Sequence, residues 1–294
     1  MNNDFSVNNL KYLCCPKCES DLIEQNNLLI CKKCDERYKI QSGIPVLVNL
    51  KNLPIQLQKQ IKYFENEDNK RIKYKLDEWQ RSYVGRFLDN FGCNISDKII
   101  IDSGTGSGYM AIELAKLGAK VIACDLTFNN LIKLQHIAEE QNIKNIKFIC
   151  CNAEKLPFRD RFADFFISNA VLEHLAEEKK AIDEISRICK NVAGLMITVP
   201  LKFRYLNPLF IPVNYLHDKR IGHLRRYDKE DLESKFYNWK LDRVYYTGHF
   251  KKVLHAILQI AKLSLFDDRK LEQLDDKKSS KKYGASNICA IFKK

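Results

Sequence analysis

The chain has 294 residues, 45% of them hydrophobic, and a formal net charge of +12. That length and apolar content suffice for one large folded domain plus a small accessory one, and they exclude a disordered chain. No run of eighteen apolar residues is available to span a bilayer, and the start Met1-Asn2-Asn3-Asp4-Phe5 lacks the basic and apolar segments of a secretory signal, so a cytoplasmic location is expected.

Three regions separate by composition. Residues 1–50 are punctuated by cysteines and hold small strand-like segments such as Leu28-Leu29-Ile30 and Ile44-Pro45-Val46-Leu47-Val48. Residues 51–74 are polar and charged, which predicts a linker or an exposed helix. From 75 to 294, apolar strand-like runs alternate with helical periodicity, the pattern of an α/β domain with a mainly parallel sheet. Buried strands are expected at 98–101, 120–124, 146–150, 163–167 and 195–199, with closing strands at 239–247 and 286–292. Helices are expected at 108–117, at 128–141 with Thr127 as N-cap, and at 177–190, where Ala181, Ile182, Ile185 and Ile188 recur at helical spacing. Asp228-Lys229-Glu230-Asp231 reads as a capping box opening a further helix. The lysines are spread along the whole chain, so the net charge reads as a solvated basic surface, with an anionic partner as the alternative.

The first strand runs into Asp102-Ser103-Gly104-Thr105-Gly106-Ser107-Gly108 before a helix begins. Glycines there allow a tight bend and let backbone amides approach a ligand closely. Seventeen residues beyond Gly108 the second strand ends in Asp125, an acid placed to accept hydrogen bonds from ribose hydroxyls. A dinucleotide fingerprint would need glycine where Tyr109 stands. The Gly-x-Gly-x-Gly spacing with a preceding acid suits an adenosine ligand without a pyrophosphate, and a bulky residue at Gly106 is expected to fill the approach.

Residues 98–200 resemble class I methyltransferases of type 11, related to the ubiquinone and menaquinone biosynthesis enzymes. The match rests on 101–108, Ala123-Cys124-Asp125, Cys151-Asn152-Ala153-Glu154-Lys155-Leu156-Pro157-Phe158 and Phe165-Phe166-Ile167-Ser168-Asn169-Ala170-Val171-Leu172-Glu173-His174-Leu175. The resemblance implies a Rossmann-like sheet of seven mainly parallel strands, helices on both faces, and S-adenosylmethionine at the carboxyl ends of the strands. It also implies that Asp102, Gly104, Thr105, Gly106 and Gly108 lie beside the methionine part of the cofactor, that Asp125 holds the ribose, and that Asn152 and Ala153 border adenine. Leu126 and Asn169 complete the cofactor set. The family usually has Asp where this chain has Asn152, whose amide oxygen can still accept from the adenine amino group, and often Cys where it has Thr105.

Cys15-Pro16-Lys17-Cys18 and Cys31-Lys32-Lys33-Cys34 form C-x2-C-x12-C-x2-C, four thiolates able to close a tetrahedron around a structural zinc. Cys14 is an alternative to Cys15. The remaining cysteines sit mostly in apolar runs and read as reduced, buried thiols. The segment from Leu10 to Val48 resembles the zinc ribbon of the tRNA methyltransferase activator family, which would serve folding, a protein partner or the substrate.

On the acceptor side, His174 is the candidate base for a hydroxyl acceptor, against a purely structural role. Aromatic and basic residues interleave between 202 and 227, and related enzymes border their acceptor pocket with a Gly-His-x-Arg-Arg-Tyr segment. Tyr205, His217, His223, Arg225 and Arg226 are therefore the substrate-side candidates, the arginines suiting a phosphate or carboxylate unless they pair with nearby acids. Residues 249–263 form a basic amphipathic stretch, read as packed on its own domain in preference to a membrane surface. The leading expectation is methyl transfer to a small, lipid-linked or glycan-linked acceptor. An RNA methyltransferase is second, and a noncatalytic cofactor-binding scaffold third.

Overall fold

The computed structural model describes residues 10–50, 53–68, 74–260 and 267–294. The chain opens with four short antiparallel strands, β1 (Leu22–Gln25), β2 (Leu28–Cys31), β3 (Arg37–Gln41) and β4 (Ile44–Val46). Two of their connections are two-residue turns with positive φ throughout: Asn26 and Asn27 at 51° and 58°, Ser42 and Gly43 at 50° and 76°. Such turns match the right-handed twist of a hairpin, and Asn and Gly reach them at little steric cost.

Helices α1 (Ile55–Asp68) and α2 (Glu78–Phe91) follow, α2 opened by an Asp77–Gln80 capping box. Strands and helices then alternate: β5 (Ile99–Ser103), α3 (Tyr109–Lys116), β6 (Lys120–Asp125), α4 (Phe128–Glu140), β7 (Ile146–Cys150), β8 (Ala163–Asn169), α5 (Glu178–Ile188), β9 (Cys189–Pro200), α6 (Ile211–Ile221), α7 (Lys229–Lys235), β10 (Lys240–Thr247), α8 (Phe250–Ile260), α9 (Asp268–Asp276) and β11 (Asn287–Lys293).

All strands join one sheet in the order β1-β2-β3-β4-β7-β6-β5-β8-β9-β11-β10. The run from β7 to β9 is parallel, and β11 lies antiparallel between β9 and β10. The seven strands from β7 to β10 are the expected Rossmann-like sheet. The chain leaves β5 first toward β6 and β7, then crosses to β8, so a crevice opens at the carboxyl ends of β5 and β8, where α/β sheets bind ligands. Successive residues face opposite layers: Ile101, Ile122, Ile149 and Phe166 pack with α5, while Ile100, Val121, Phe148 and Ile167 pack with α2, α3 and α4.

Two expectations change in detail. Helix α5 stops at Ile188 because Cys189 turns extended and pairs with Ala163, making β9 longer than its apolar run. The 51–74 stretch holds α1, and this helix is covered on one side, since Leu57 and Gln60 are buried. The ribbon is continuous with the main sheet: β4 pairs with β7 at Val46 and Cys150, and Leu47 N–H donates to the Cys150 carbonyl at 2.8 Å. Tyr12, Leu13, Leu22, Leu29 and Leu47 share one core with Leu156 and Phe158.

Of the 249–263 stretch, α8 is described; residues 261–263 lie outside the described residues. Lys252 of α8 pairs with Glu272 of α9 at 2.6 Å, and His255 with Asp268 at 2.7 Å. Among the described residues no helix is long and apolar enough to cross a membrane.

Candidate active site

A cavity of about 560 Å³ opens at the carboxyl ends of β5, β6, β7 and β8. Its floor is the glycine turn, with Asp102, Gly104 and Thr105, together with Asp125, Leu126, Asn152, Ala153 and Asn169. Its roof comes from Leu57, Gln60, Ile61 and Phe64 of α1 and Trp79 and Tyr83 of α2. His174 closes one side.

The turn is fixed by its own hydrogen bonds. The N–H groups of Gly104 and Thr105 both donate to the Cys124 carbonyl, at 2.8 and 2.9 Å. Gly104 sits at φ +69°, and a Cβ there would overlap the Val171 side chain, so only glycine fits. Gly108, at φ +70°, is held for a different reason: a Cβ would strike Leu134 of α4, so this glycine sets helix packing and does not line the cavity. Gly106 does not line the cavity either, and a Cβ on it would meet only the Gly104 carbonyl at 3.9 Å. The expected blocking position is therefore Gly104.

Asp102 is buried, and its carboxylate accepts the Thr105 hydroxyl at 2.7 Å. Burial first, and then the charge of Asp125, pushes its pKa up to about 6, against the pull of the Thr105 hydrogen bond. Asp125 accepts the Gly106 N–H on Oδ2 at 2.9 Å and the Thr127 N–H on Oδ1 at 2.8 Å, which fixes the plane of the carboxylate at the end of β6. Asn152 uses its amide oxygen to cap the following turn, accepting the Glu154 N–H at 2.9 Å. Asn169 is clamped between Tyr109 and Thr198, donating to the first at 3.1 Å and accepting from the second at 2.8 Å.

His174 lies in the 3₁₀ turn Leu172–His174 that follows β8. Its ring stands edge-on to Phe64 and to His223, with centroids 5.6 and 4.7 Å away. Burial, then the neighbouring His223, pushes its pKa down to about 3. A neutral imidazole with that pKa accepts a hydrogen bond but holds a proton poorly, which makes it a weak general base.

The other acceptor-side candidates do not reach the cavity wall. Tyr205 stands edge-on to Tyr283 beneath Lys282, and His217 is exposed on α6. Arg225 donates to the Leu175 carbonyl at 2.6 Å and lies 3.6 Å from Glu178, bracing the turn that carries His174. Arg226 grips both oxygens of Asp218, at 2.6 and 2.8 Å, and donates to the Leu201 carbonyl at 2.9 Å. Both arginines are thus spent on internal partners, ahead of them in the chain and not on the following helix. His223 stands behind His174, its Nδ1 2.8 Å from Asp218 Oδ1. The cavity's own cation, Lys252, pairs with Glu272 and Asp275.

At the other edge of the sheet the four ribbon cysteines converge, one sulfur from each lying within 4.8 Å of all the others. Their closest approaches are 3.4 Å for Cys18–Cys31, 3.5 Å for Cys18–Cys34 and 3.7 Å for Cys15–Cys34. Zinc–sulfur bonds of about 2.3 Å give a tetrahedron with edges of about 3.8 Å, so the donor set fits a zinc ion. Cys15 and not Cys14 belongs to the cluster. All eleven cysteines are free thiols.

Residues 101–197 match the family described as a methyltransferase domain. The chain is 30% identical over 111 residues to the biotin biosynthesis bifunctional protein BioHC of Cellvibrio japonicus, a match covering 38% of this chain and 21% of that protein. It is 35% identical over 120 residues to the tRNA (carboxymethyluridine(34)-5-O)-methyltransferase of Arabidopsis thaliana, covering 40% of this chain and 26% of the plant protein. YcgJ of Bacillus subtilis is similar in sequence, 24% over 143 residues with 49% and 53% covered. Its crystal structure shares the fold, with TM-score 0.54, 16% identity, and 73% of this chain and 98% of that chain covered. The chain thus spans at most about half the length of these curated relatives.

Helix α1 is the part of the site that sequence reasoning missed. Leu57, Gln60, Ile61 and Phe64 stand at helical spacing in the sequence, and that stripe was the available signal, masked by the polar residues around it. Arg226 gives a direct check on the acceptor-side assignment. Replacing it by Met breaks a buried pair and leaves Asp218 short of a partner, which should cost roughly 3 kcal/mol in urea unfolding while cofactor affinity stays within about twofold. Unchanged stability with weakened ligand binding would return Arg226 to the ligand.

Proposed function

We propose that the protein binds S-adenosylmethionine in the cavity at the carboxyl ends of β5 to β8 and transfers its methyl group to a small acceptor, or to the small end of a lipid- or glycan-linked one. The observation that carries this reading is the Gly104 cradle, a turn in which only glycine fits, beside Asp125 at the end of the next strand. On this reading Asp102 and the backbone from Gly104 to Thr105 face the methionine end, Asp125 with Leu126 the ribose, Asn152 and Ala153 the adenine, and Asn169 the cofactor edge. Bound S-adenosylmethionine supplies the activated methyl group, so the chain's own residues mainly position the acceptor and exclude water. A cavity of about 560 Å³ has the size of a small-molecule site. Leu57, Ile61, Phe64 and Trp79 offer the acceptor an apolar and aromatic surface. With Lys252, Arg225 and Arg226 already paired, the wall favours a neutral acceptor group over a phosphate.

The ribbon, on the same reading, holds one structural zinc through Cys15, Cys18, Cys31 and Cys34. Its continuity with the sheet supports a folding role. An RNA acceptor is the second reading, favoured by the similarity to the plant tRNA methyltransferase and by the net charge of +12.

Incubation with methyl-labelled S-adenosylmethionine and fractionated extract tests the proposal. Label in a small-molecule or lipid fraction is expected; ribonuclease-sensitive label would move the assignment to RNA, and cofactor binding without transfer to any fraction would make the chain a scaffold. Calorimetry across pH gives a second reading. The ionised Asp102 favours a cationic ligand, so affinity should weaken as pH falls through about 6, and Asp102→Asn should flatten that slope.

A further inference from the structure

We propose that Glu173, His174 and His223 form a binding site for a divalent transition-metal ion behind the acceptor side of the cavity. One ligand atom from each of the three lies within 4.8 Å of the other two. Glu173 is 1% exposed, and neither of its carboxylate oxygens has a hydrogen-bond partner among the described residues. A buried carboxylate left this way is unusual, because such groups are otherwise paired or bound to a cation.

The surroundings are those of a built site. His223 Nε2 points to Glu173, 3.6 Å from Oε1, and its Nδ1 is held by Asp218 at 2.8 Å. This is the carboxylate–histidine relay that orients metal-ligating imidazoles. Asp218 is in turn fixed by Arg226, which explains a buried arginine with no ligand of its own. Two separate segments meet here. The 3₁₀ turn after β8 carries Glu173 and His174, and Gly222, at φ +79°, ends α6 and turns the chain so that His223 faces them. The Leu224 N–H donates to the Glu173 carbonyl at 2.8 Å and locks the two segments together.

Two imidazoles and one carboxylate select iron, manganese, cobalt, nickel or zinc over calcium, whose ligands are oxygens. Three protein ligands leave a coordination position for water or substrate, and His174 is itself on the cavity wall. The consequence for chemistry rests on the methyltransferase reading above. An acceptor hydroxyl taking that position would be acidified. Its O–H bond breaks with the proton passing to water, the oxygen lone pair forms the new O–CH₃ bond, and the electrons of the cleaved C–S bond leave on sulfur.

Cobalt(II) titration of the full chain, without cofactor or acceptor, tests the site independently of methyl transfer. Cobalt at the ribbon gives intense thiolate charge-transfer absorption, whereas cobalt held by nitrogen and oxygen gives only weak visible bands. The expected result is a class of cobalt with visible bands and no charge transfer. Glu173→Gln and His223→Gln should each abolish it, and Asp218→Asn, which removes only the orienting partner, should weaken it by about 10- to 100-fold. The ribbon absorption should be the same in all three, with circular dichroism showing that they are folded. Saturation by thiolate-bound cobalt alone, or a second class indifferent to both Glu173→Gln and His223→Gln, would overturn the proposal.

Discussion

Gly104→Ala should weaken S-adenosylmethionine binding about a hundredfold. The residue sits at φ +69°, where an alanine is strained by about 1–2 kcal/mol. Its methyl would also overlap Val171, a further cost of about 1–3 kcal/mol if the wall yields. The turn has little freedom to move away, since the N–H groups on either side of the Gly104–Thr105 bond are tied to one carbonyl of β6. Together these amount to roughly 3 kcal/mol, or about two decades in Kd. Gly106→Ala is the matched control. At φ +49° it shares the backbone strain, but its methyl meets nothing closer than 3.9 Å, so it should lose less, by the steric part alone. Calorimetry showing the two variants equal to the parent protein would remove the cofactor from this turn.

Cys31→Ser should lower the melting temperature by on the order of 10 °C and abolish the bound zinc, expected at one ion per chain. The size of the effect follows from where the ribbon sits. Cys31 ends β2, whose Leu29 belongs to the same core as Phe158 and Ile149, so releasing the metal loosens the rim of the main sheet as well as a small appendage. The loss should carry into the cavity. β7 runs directly into Cys151, Asn152 and Ala153, and these line the wall assigned to adenine, so cofactor affinity should fall along with stability. Metal analysis finding no zinc in the parent protein, with Cys31→Ser melting unchanged, would refute the ribbon's structural role.

Local signals carried most of the fold. The glycine turn, Asp125 and the paired Cys-x-x-Cys knuckles all state their geometry within a few residues, because turn conformation and metal spacing are short-range constraints. The capping box at Asp228 is of the same kind, and there Asp228 accepts the Asp231 N–H at 3.0 Å. Long-range pairing was not legible. Nothing in Ile44-Pro45-Val46 indicates that it will lie beside Cys150, since a three-residue strand fits any exposed edge of suitable direction. Arg225 and Arg226 were misplaced for a related reason: a sequence does not distinguish a guanidinium that faces a ligand from one that faces carbonyls and an aspartate of its own chain. The roof helix α1 was hidden by composition, its four inward residues diluted among Gln, Lys and Glu.

The pairing of β4 with β7 has a consequence for solubility. Without it, Ile146-Lys147-Phe148-Ile149-Cys150 would end the sheet as a largely apolar strand with unpaired backbone groups, the kind of edge on which another chain can add a strand. The opposite edge, β10, defends itself with the exposed charges of Lys240, Asp242 and Arg243. β7 carries no such row of charges and is protected by being covered. If the four cysteines hold zinc as proposed, they clasp the cover over β7, and a chelator that opens it should make the protein self-associate.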